Sequence, residues 1–168
     1  MKNKILKKEK IVLTSEMRNK KEIERKLRVS EEVYRRLFET ARDGILVLDS
    51  DTGEILDVNP FLIQLLSYSK KEFLGKKLWE VGAFKNSKTS KETFKSLQET
   101  GYARYDNLPL EASDGRLIEV EFISNAYIAG DVRVMQCNIR DISDRKRMEE
   151  ADKAIVLLEQ EKLKNTFI

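Results

Sequence analysis

The sequence predicts an α+β domain held between two exposed amphipathic helices. Residues 15–41 and 145–168 contain no Gly or Pro and place apolar residues at helical steps. Every Gly and Pro of the chain falls within residues 44–143 instead. That stretch contains five strand patterns in the order two strands, helices and three strands, which is typical of an α+β fold.

The composition excludes most catalytic and metal-binding classes. The 168 residues are 36% charged and include no His and one Cys. Without imidazole there is no Ser-His-Asp or Cys-His nucleophile system, and one Cys excludes an intrachain disulfide or a thiolate zinc site. No apolar run approaches the roughly 20 residues that cross a bilayer. We therefore expect a cytoplasmic protein with no membrane contact, no metal site and no catalytic residues.

Positive charge is concentrated at the N-terminus. Residues 1–28 contain 11 Lys or Arg and 4 Asp or Glu, a net charge of +7, whereas the remaining residues have a net charge of −4. Such a segment can bind nucleic acid or anionic lipid, but no aromatic residue or groove-reading motif accompanies the lysines. We therefore favour a solvated helical leader over residues 1–29, and a protein-interaction or nucleic-acid-binding module that uses this leader is the less favoured alternative.

The two flanking segments carry apolar stripes of the coiled-coil type. The first stripe has steps of four and three residues, at Ile23, Leu27, Ser30, Tyr34, Leu37 and Ala41. Ser30 is followed by two acidic residues, as at a helix N-cap, so we expect a break there. The second stripe is Met148, Ala151, Ile155 and Leu158, after which the apolar residues fall out of phase.

The central stretch contains recognisable turn and cap signals. Residues 44–49 and 54–58 form a predicted hairpin, and Asn59-Pro60 opens a short helix. Ser69 and Glu72 form a capping box, and a further helix is predicted over 90–99. Strands are predicted over 102–111, 116–128 and 132–141.

The middle one of these three strands has two distinct faces. One face is apolar and is predicted to face the core, at Ile118, Val120, Phe122, Ala126 and Ile128. The opposite face mixes Glu119 and Glu121 with Ile123 and Tyr127. A half-apolar outer face indicates that something covers it, whereas the two acids fit a solvated or interface surface better than an acid–base pair.

Several fragments, in this order and spacing, resemble the PAS family of sensory domains. They are Ser30–Glu39, Asp43–Asp49, Gly53-Glu-Ile, Asp57–Pro60, Leu65–Ser69, Glu72–Gly75, Asp114-Gly115 and Arg140–Ser143. The resemblance covers about residues 30–147 and implies a five-stranded antiparallel sheet with helices on one face. It also implies a sensory or dimerisation module rather than an enzyme, with a domain over residues 30–143 and an output helix over 144–168.

Two positions depart from the family pattern. The family often has Ala where this chain has Phe61, and Gly where it has Ser67. We expect Phe61 to fill space that a ligand would otherwise occupy. The segment 161–168 resembles the helix that precedes the phosphorylated histidine in histidine kinases. A kinase or other output domain C-terminal to this chain is the implied partner.

The resemblance also implies an internal pocket, because PAS domains line a cavity in this region. We expect it to be small and apolar, without a cofactor, and haem or flavin is the alternative. Its candidate lining residues are Leu65, Trp79, Phe84, Phe94, Val120, Phe122, Met135 and Cys137. Cys137 is a potential haem thiolate or redox switch, but a small buried core residue is the simpler interpretation. The cysteine motif of the light-sensing PAS domains is absent from residues 67–81.

Signal relay is predicted where the last strand meets the output helix. The residues are Asp141, Ile142, Ser143 and Arg145, with Ser143 as the helix cap and Asp141 paired with Arg140 or Arg145. We expect a homodimer formed by the flanking helices and the outer sheet face. Its candidate interface residues are Leu27, Tyr34, Leu37, Ile123, Tyr127, Ile155 and Leu158.

Overall fold

A computed structural model describes residues 2–85 and 90–166. The chain separates into two compact units, Met1–Thr40 and Ala41–Ile168. The first unit is one helix, α1 (Lys2–Thr40), which runs unbroken through Ser30. The predicted break at Ser30 is therefore wrong, and the basic leader belongs to the same helix as the apolar stripe. Serine costs only a few tenths of a kcal/mol inside a helix, and the Glu31–Arg35 ion pair at 2.7 Å supports the following turn.

The second unit is built on one antiparallel sheet of five strands. They are β1 (Gly44–Asp49), β2 (Ile55–Val58), β3 (Tyr102–Glu111), β4 (Leu117–Ala129) and β5 (Val132–Asp141), in the spatial order β2-β1-β5-β4-β3. The five predicted strands and the antiparallel sheet are confirmed. The long β3–β4 and β4–β5 hairpins place the last three strands side by side, and β5 returns to pair with β1.

Short helices connect β2 to β3, and a long helix follows β5. They are α2 (Pro60–Leu66), α3 (Lys70–Phe73), a 3-10 turn (Leu78–Glu80), α4 (Gly82–Lys85), α5 (Ser90–Thr100) and α6 (Ser143–Thr166). The predicted caps are present: Asn59 Oδ1 accepts a hydrogen bond from the Leu62 N–H at 3.2 Å, and Ser69 and Glu72 form the capping box.

The core lies between the helices and one face of the sheet. Val120, Phe122, Met135 and Ile139 of the two central strands are buried there. Ile128 follows the same alternation along β4, but it is 74% exposed, so the prediction that it belongs to the core is wrong. The tip of the β4–β5 hairpin extends past the last residues that pair with β3 and β1, so no neighbouring strand covers it.

The two departures from the family pattern have different outcomes. Ser67 ends α2 in the left-handed conformation, with φ of 56°, which is the conformation for which Gly is suited. Phe61 is half-buried and lies outside the core cluster, so the expectation that it fills pocket space is wrong. Phe61 is the second residue of α2, whereas Leu62 and Leu66 supply the buried face of that helix.

Candidate functional site: the core and the output junction

The junction between β5 and α6 is held first by a side-chain cap. Asp141 Oδ1 accepts a hydrogen bond from the Ser143 N–H at 2.9 Å, where α6 begins. The predicted pairing of Asp141 with an arginine is wrong, because Arg140 pairs with Asp43 and Arg145 lies 3.9 Å from Glu149. The prediction that Ser143 caps the helix is therefore wrong, since Ser143 is the first residue of α6 and donates its N–H to the strand residue Asp141 at the positive end of the helix.

Two further contacts attach the beginning of α6 to β4, and both are made by Glu119. The Ile142 N–H donates to the Glu119 carbonyl oxygen at 3.1 Å, and the Ile142 side chain is only 2% exposed. Lys146 Nζ forms an ion pair with the carboxylate of the same Glu119. Beyond Lys146, the described residues of α6 are all exposed. The helix is therefore anchored to the sheet at one end, through one residue of β4.

A row of alternating charges crosses the sheet beside this junction. The Arg140 guanidinium binds Asp43 through two hydrogen bonds, of 3.1 and 2.7 Å, and lies 3.9 Å from Glu121. Glu121 also accepts a hydrogen bond from Arg104 at 2.9 Å, and Arg104 in turn binds Asp106. The Glu121 side chain is only 10% exposed, so the interpretation of a solvated acid is wrong for this residue. We call these five residues the charge row.

The candidate pocket residues are brought together in one core. Phe84, Phe94, Val120, Phe122, Met135 and Cys137 are buried, and Leu65 and Trp79 pack against them at the edge. The Trp79 and Phe94 rings are neighbours in this core, with centroids 5.3 Å apart. A Cβ atom on Gly53 would come within 2.9 Å of the Trp79 ring, so the β1–β2 turn is closely packed against these rings. That these residues line a ligand site stays a prediction.

Cys137 is completely buried in β5, next to a polar partner. Its Sγ atom lies 3.1 Å from Ser124 Oγ on β4. Burial raises the pKa of the Cys137 thiol to about 12, because the interior disfavours the thiolate. A protonated thiol is a poor nucleophile and a poor haem ligand, so the environment of Cys137 suits the small core residue better than the haem thiolate or the redox switch.

The candidate interface residues are accessible within their own units. On α1 the stripe residues Leu27, Tyr34 and Leu37 are 67%, 53% and 68% exposed. On α6 Ile155 and Leu158 are 55% and 58% exposed. On the outer sheet face Tyr127 is exposed and Ile123 is half-buried. That these residues form a dimer interface stays a prediction.

The structure adds residues that the sequence patterns did not single out. Asp43 pairs with the strand residue Arg140, Arg104 and Lys146 pair with the strand acids Glu121 and Glu119, and Ser124 is the partner of Cys137. The Ser50 hydroxyl is buried without a hydrogen-bond partner among the described residues. Of these residues, only Ser124 could have been identified from the sequence. It lies between Phe122 and Ala126 in the alternation of β4, which places it on the core face.

Neither a metal-binding cluster nor a membrane-spanning helix is present in the described residues, 2–85 and 90–166. No group of three or more His, Cys, Asp or Glu side chains is placed to hold a metal ion there. Within the same ranges, no helix combines the length and apolar character needed to span a bilayer.

Comparison with known proteins agrees with this architecture. Sporulation kinase E of Bacillus subtilis (strain 168) is 29% identical over 134 residues, which cover 77% of this chain and 17% of that kinase. The chain therefore spans less than a fifth of the length of this curated relative.

Two solved structures are also similar. The PAS domain of an HTR-like protein from Haloarcula marismortui is 25% identical, with a TM-score of 0.60, over 73% of this chain and 99% of that chain. A domain of a sensory box sensor histidine kinase/response regulator from Geobacter sulfurreducens is 27% identical, with a TM-score of 0.55, over 68% of this chain and 96% of that chain. The PAS domain family model matches residues 42–144. With its five-stranded antiparallel sheet and its sensory-kinase homologues, the chain belongs to the PAS domain family.

Proposed function

We propose that this chain is the input part of a cytoplasmic sensor histidine kinase and relays a change in its sheet to α6. The observation that carries the proposal is the attachment of the first turn of α6 to β4. The Ile142 N–H hydrogen bond and the Lys146 ion pair both end on Glu119, and Ile142, directly before the helix, is buried.

This attachment makes α6 responsive to small movements of the sheet. A displacement of β4 relative to β5 moves Glu119 and Asp141 apart, and both hold the beginning of the helix. The remainder of α6 is free of the sheet and carries the stripe of Met148, Ala151 and Ile155. A shift at the first turn therefore rotates or translates a helix suited to a coiled coil.

The relatives support a kinase as the output. Sporulation kinase E and the sensory box histidine kinase both contain a segment similar to this chain. PAS sensory domains are generally non-catalytic, and we propose that this chain contributes no catalytic residue. The helix end that resembles the kinase segment includes Phe167 and Ile168, which lie outside the described residues.

The accessible stripes support a homodimer. PAS domains of sensor kinases typically dimerise, and here Leu27, Tyr34 and Leu37 lie on one exposed side of α1. Burying such a stripe against a second copy removes apolar surface from water at two-fold symmetric positions. Ile155 and Leu158 of α6 provide a second stripe on the output side.

The chemistry of the core supports a sensor without haem or flavin. The thiol of Cys137 is protonated, and the candidate pocket residues are otherwise apolar. We expect the purified chain to show no absorbance above the protein bands, with or without added haem or flavin. A new visible band after reconstitution would contradict this part of the proposal.

The relay is tested in a fusion of residues 1–168, through α6, to the dimerisation and catalytic domains of a histidine kinase. Autophosphorylation is compared for the wild-type fusion, Glu119→Lys, Lys146→Glu and the double exchange. Each single substitution places like charges together at the junction, so we expect a change of severalfold. The double exchange restores the ion pair and is expected to return activity toward the wild-type value.

The matched control is Lys153→Glu, which makes the same charge change on the exposed part of α6. We expect it to leave autophosphorylation close to the wild-type value. Equal activity in all five fusions, with the sheet shown to be folded by circular dichroism, would contradict the relay.

A further inference from the structure

Between residues 4 and 28 of α1, six of the ten Lys and Arg side chains lie along the side of the helix opposite the apolar stripe. Eight positions at steps of three and four residues follow this side. They are Lys4, Lys7, Ile11, Thr14, Arg18, Lys21, Arg25 and Arg28, of which six are basic and none is acidic. We call these eight residues the basic row.

The basic row carries charge that the chain itself does not neutralise. All of its members are exposed, and Arg25 is paired with Glu22 at 2.8 Å. Lys4, Lys7, Arg18, Lys21 and Arg28 have no acidic partner within 4.0 Å among the residues described. Because α1 is unbroken, the row extends over about 36 Å at 1.5 Å per residue.

We propose that the basic row binds the phosphate backbone of duplex DNA, independently of base sequence. Lysine and arginine side chains displace the counterions condensed on a polyanion, and the gain is entropic and additive along the duplex. A rigid row of six cations is suited to such a surface. It contains no aromatic or amide side chain, and we assign its three arginines to phosphates rather than to base edges.

The arrangement of apolar residues argues against a membrane surface as the partner. A helix that lies in a bilayer interface buries a continuous apolar face beside its basic face. In the basic half of α1 that opposite face is interrupted by Glu9 and Glu16, which lie between the apolar residues of the helix. The basic row itself contains one apolar residue, Ile11.

Groove dimensions favour DNA over duplex RNA. The major groove of B-DNA is about 12 Å wide and admits an α-helix, whereas the major groove of A-form RNA is too narrow for one. A continuous helix such as α1 can lie along or across the groove of DNA with its basic row against the phosphates.

The apolar stripe also indicates how two copies would approach the duplex. Between residues 2 and 20, four of the six positions that continue the stripe are charged: Lys2, Glu9, Glu16 and Lys20. Pairing of two α1 helices therefore weakens upstream of Ile23, so the basic halves can diverge on either side of a duplex. This forked arrangement rests on the proposed dimer, whereas the basic row does not.

The test measures binding of the full chain to a fluorescent duplex of about 30 base pairs, or three helical turns. We expect binding at about 50 mM salt and a loss of about a thousandfold in affinity at 200 mM, as for six phosphate contacts. Replacing Lys4, Lys7, Arg18 and Lys21 with Gln is expected to lower the salt slope by about four.

The matched control removes the same charge elsewhere, by Gln at the exposed residues Lys71, Lys91, Lys95 and Lys153. Its affinity is expected to stay within about threefold of wild type, because these charges make no phosphate contact. Circular dichroism verifies that both variants retain their helices.

Three outcomes would overturn the proposal: no binding at low salt, an equal loss of affinity in the control, or binding to phosphatidylglycerol vesicles or duplex RNA in preference to DNA. Light scattering on the same samples separates this inference from the proposed dimer. A dimer that does not bind DNA overturns the inference alone, and a monomer that binds through the basic row upholds it while contradicting the dimer.

Discussion

Ser67 occupies a backbone conformation that its side chain disfavours. The left-handed region costs a residue with a Cβ atom about 1 kcal/mol or more, whereas Gly adopts it freely. Ser67 Oγ makes one long hydrogen bond, accepted from Arg116 Nη2 at 3.3 Å, and the Arg116 side chain is exposed. The side chain therefore contributes little that would offset the strain.

We predict that Ser67→Gly raises the free energy of unfolding by up to about 1 kcal/mol. Ser96→Gly is the contrasting change, because Ser96 lies inside α5, where Gly costs about 0.5 kcal/mol. Urea denaturation followed by circular dichroism measures both. A loss of stability in Ser67→Gly would show that the side-chain contact outweighs the backbone strain.

Cys137 is predicted to be unreactive in the native protein. Its pKa of about 12 leaves almost no thiolate, and burial blocks access, so iodoacetamide should label it only after unfolding. The ordinary value of 9.0 applies to the unfolded chain. Stability should therefore be full below about pH 9 and fall as the pH rises toward 12, because the unfolded state loses the proton first.

The control for this pH dependence is Cys137→Ala, which should lack the contribution of the thiol to the alkaline fall in stability. Mass spectrometry of intact protein measures the labelling. Rapid labelling of the native chain at mildly alkaline pH, or an identical alkaline fall in both proteins, would contradict the account of Cys137.

Individual caps and turns could be predicted from the sequence because their chemistry is local. Asn59-Pro60 and the Ser69–Glu72 box act within four residues, and the structure contains both. The position of Glu121 could not be predicted in this way. Its burial depends on Arg104 and Arg140, which the register of β3, β4 and β5 brings beside it.

Among the elements, the charge row joins the chain just before β1 to the three strands at the other side of the sheet. Arg140 has two carboxylate neighbours, Asp43 and the nearly buried Glu121. Without the Arg140 guanidinium, Arg104 is the one cation of the charge row that still lies beside Glu121. Because a buried carboxylate is costly without its partners, Arg140 should matter more than an ordinary surface arginine.

We predict that Arg140→Gln lowers the free energy of unfolding by roughly 1 kcal/mol, a value reduced for the exposure of the guanidinium. Arg116→Gln, which breaks the exposed pair with Asp114, is expected to leave the urea midpoint unchanged. Combining Arg140→Gln with Glu121→Gln should recover part of the loss. Equal midpoints for the two arginine variants would contradict a role for the charge row in stability.

The helices and strands show where sequence periodicity predicts element positions and burial correctly, and where it does not. The three long strands and α5 lie within one or two residues of their predicted positions. The alternation of apolar residues nevertheless predicted that Ile128 is buried. Alternation alone does not show that the tip of the β4–β5 hairpin extends past the neighbouring strands. At Ser30 the residue pattern was compatible with both a helix N-cap and a continuous helical stripe. The structure has the continuous helix, and the Glu31–Arg35 ion pair stabilises the turn that follows Ser30.

At the scale of the whole molecule, the fold separates a packed sensor from an exposed output helix. The core of the second unit is contiguous from α2 to β5, and α6 touches the sheet at its first turn. The fold class and the place of the output junction could be predicted from the sequence. The contacts of that junction could not, because Glu119 reaches Ile142 and Lys146 only through the pairing of β4 with β5.

The central claim is that β4 controls the position of α6, and a distance between two α6 helices tests it most directly. A single exposed cysteine, Lys153→Cys, carries a spin label, and the buried Cys137 should remain unlabelled. Pulsed electron resonance on the full chain then gives the distance between the labels of two protomers. We predict a single narrow distance in the otherwise wild-type chain and a shifted or broadened distribution when Glu119→Lys is added. Identical distributions in the two proteins, or no distance between protomers, would contradict the account.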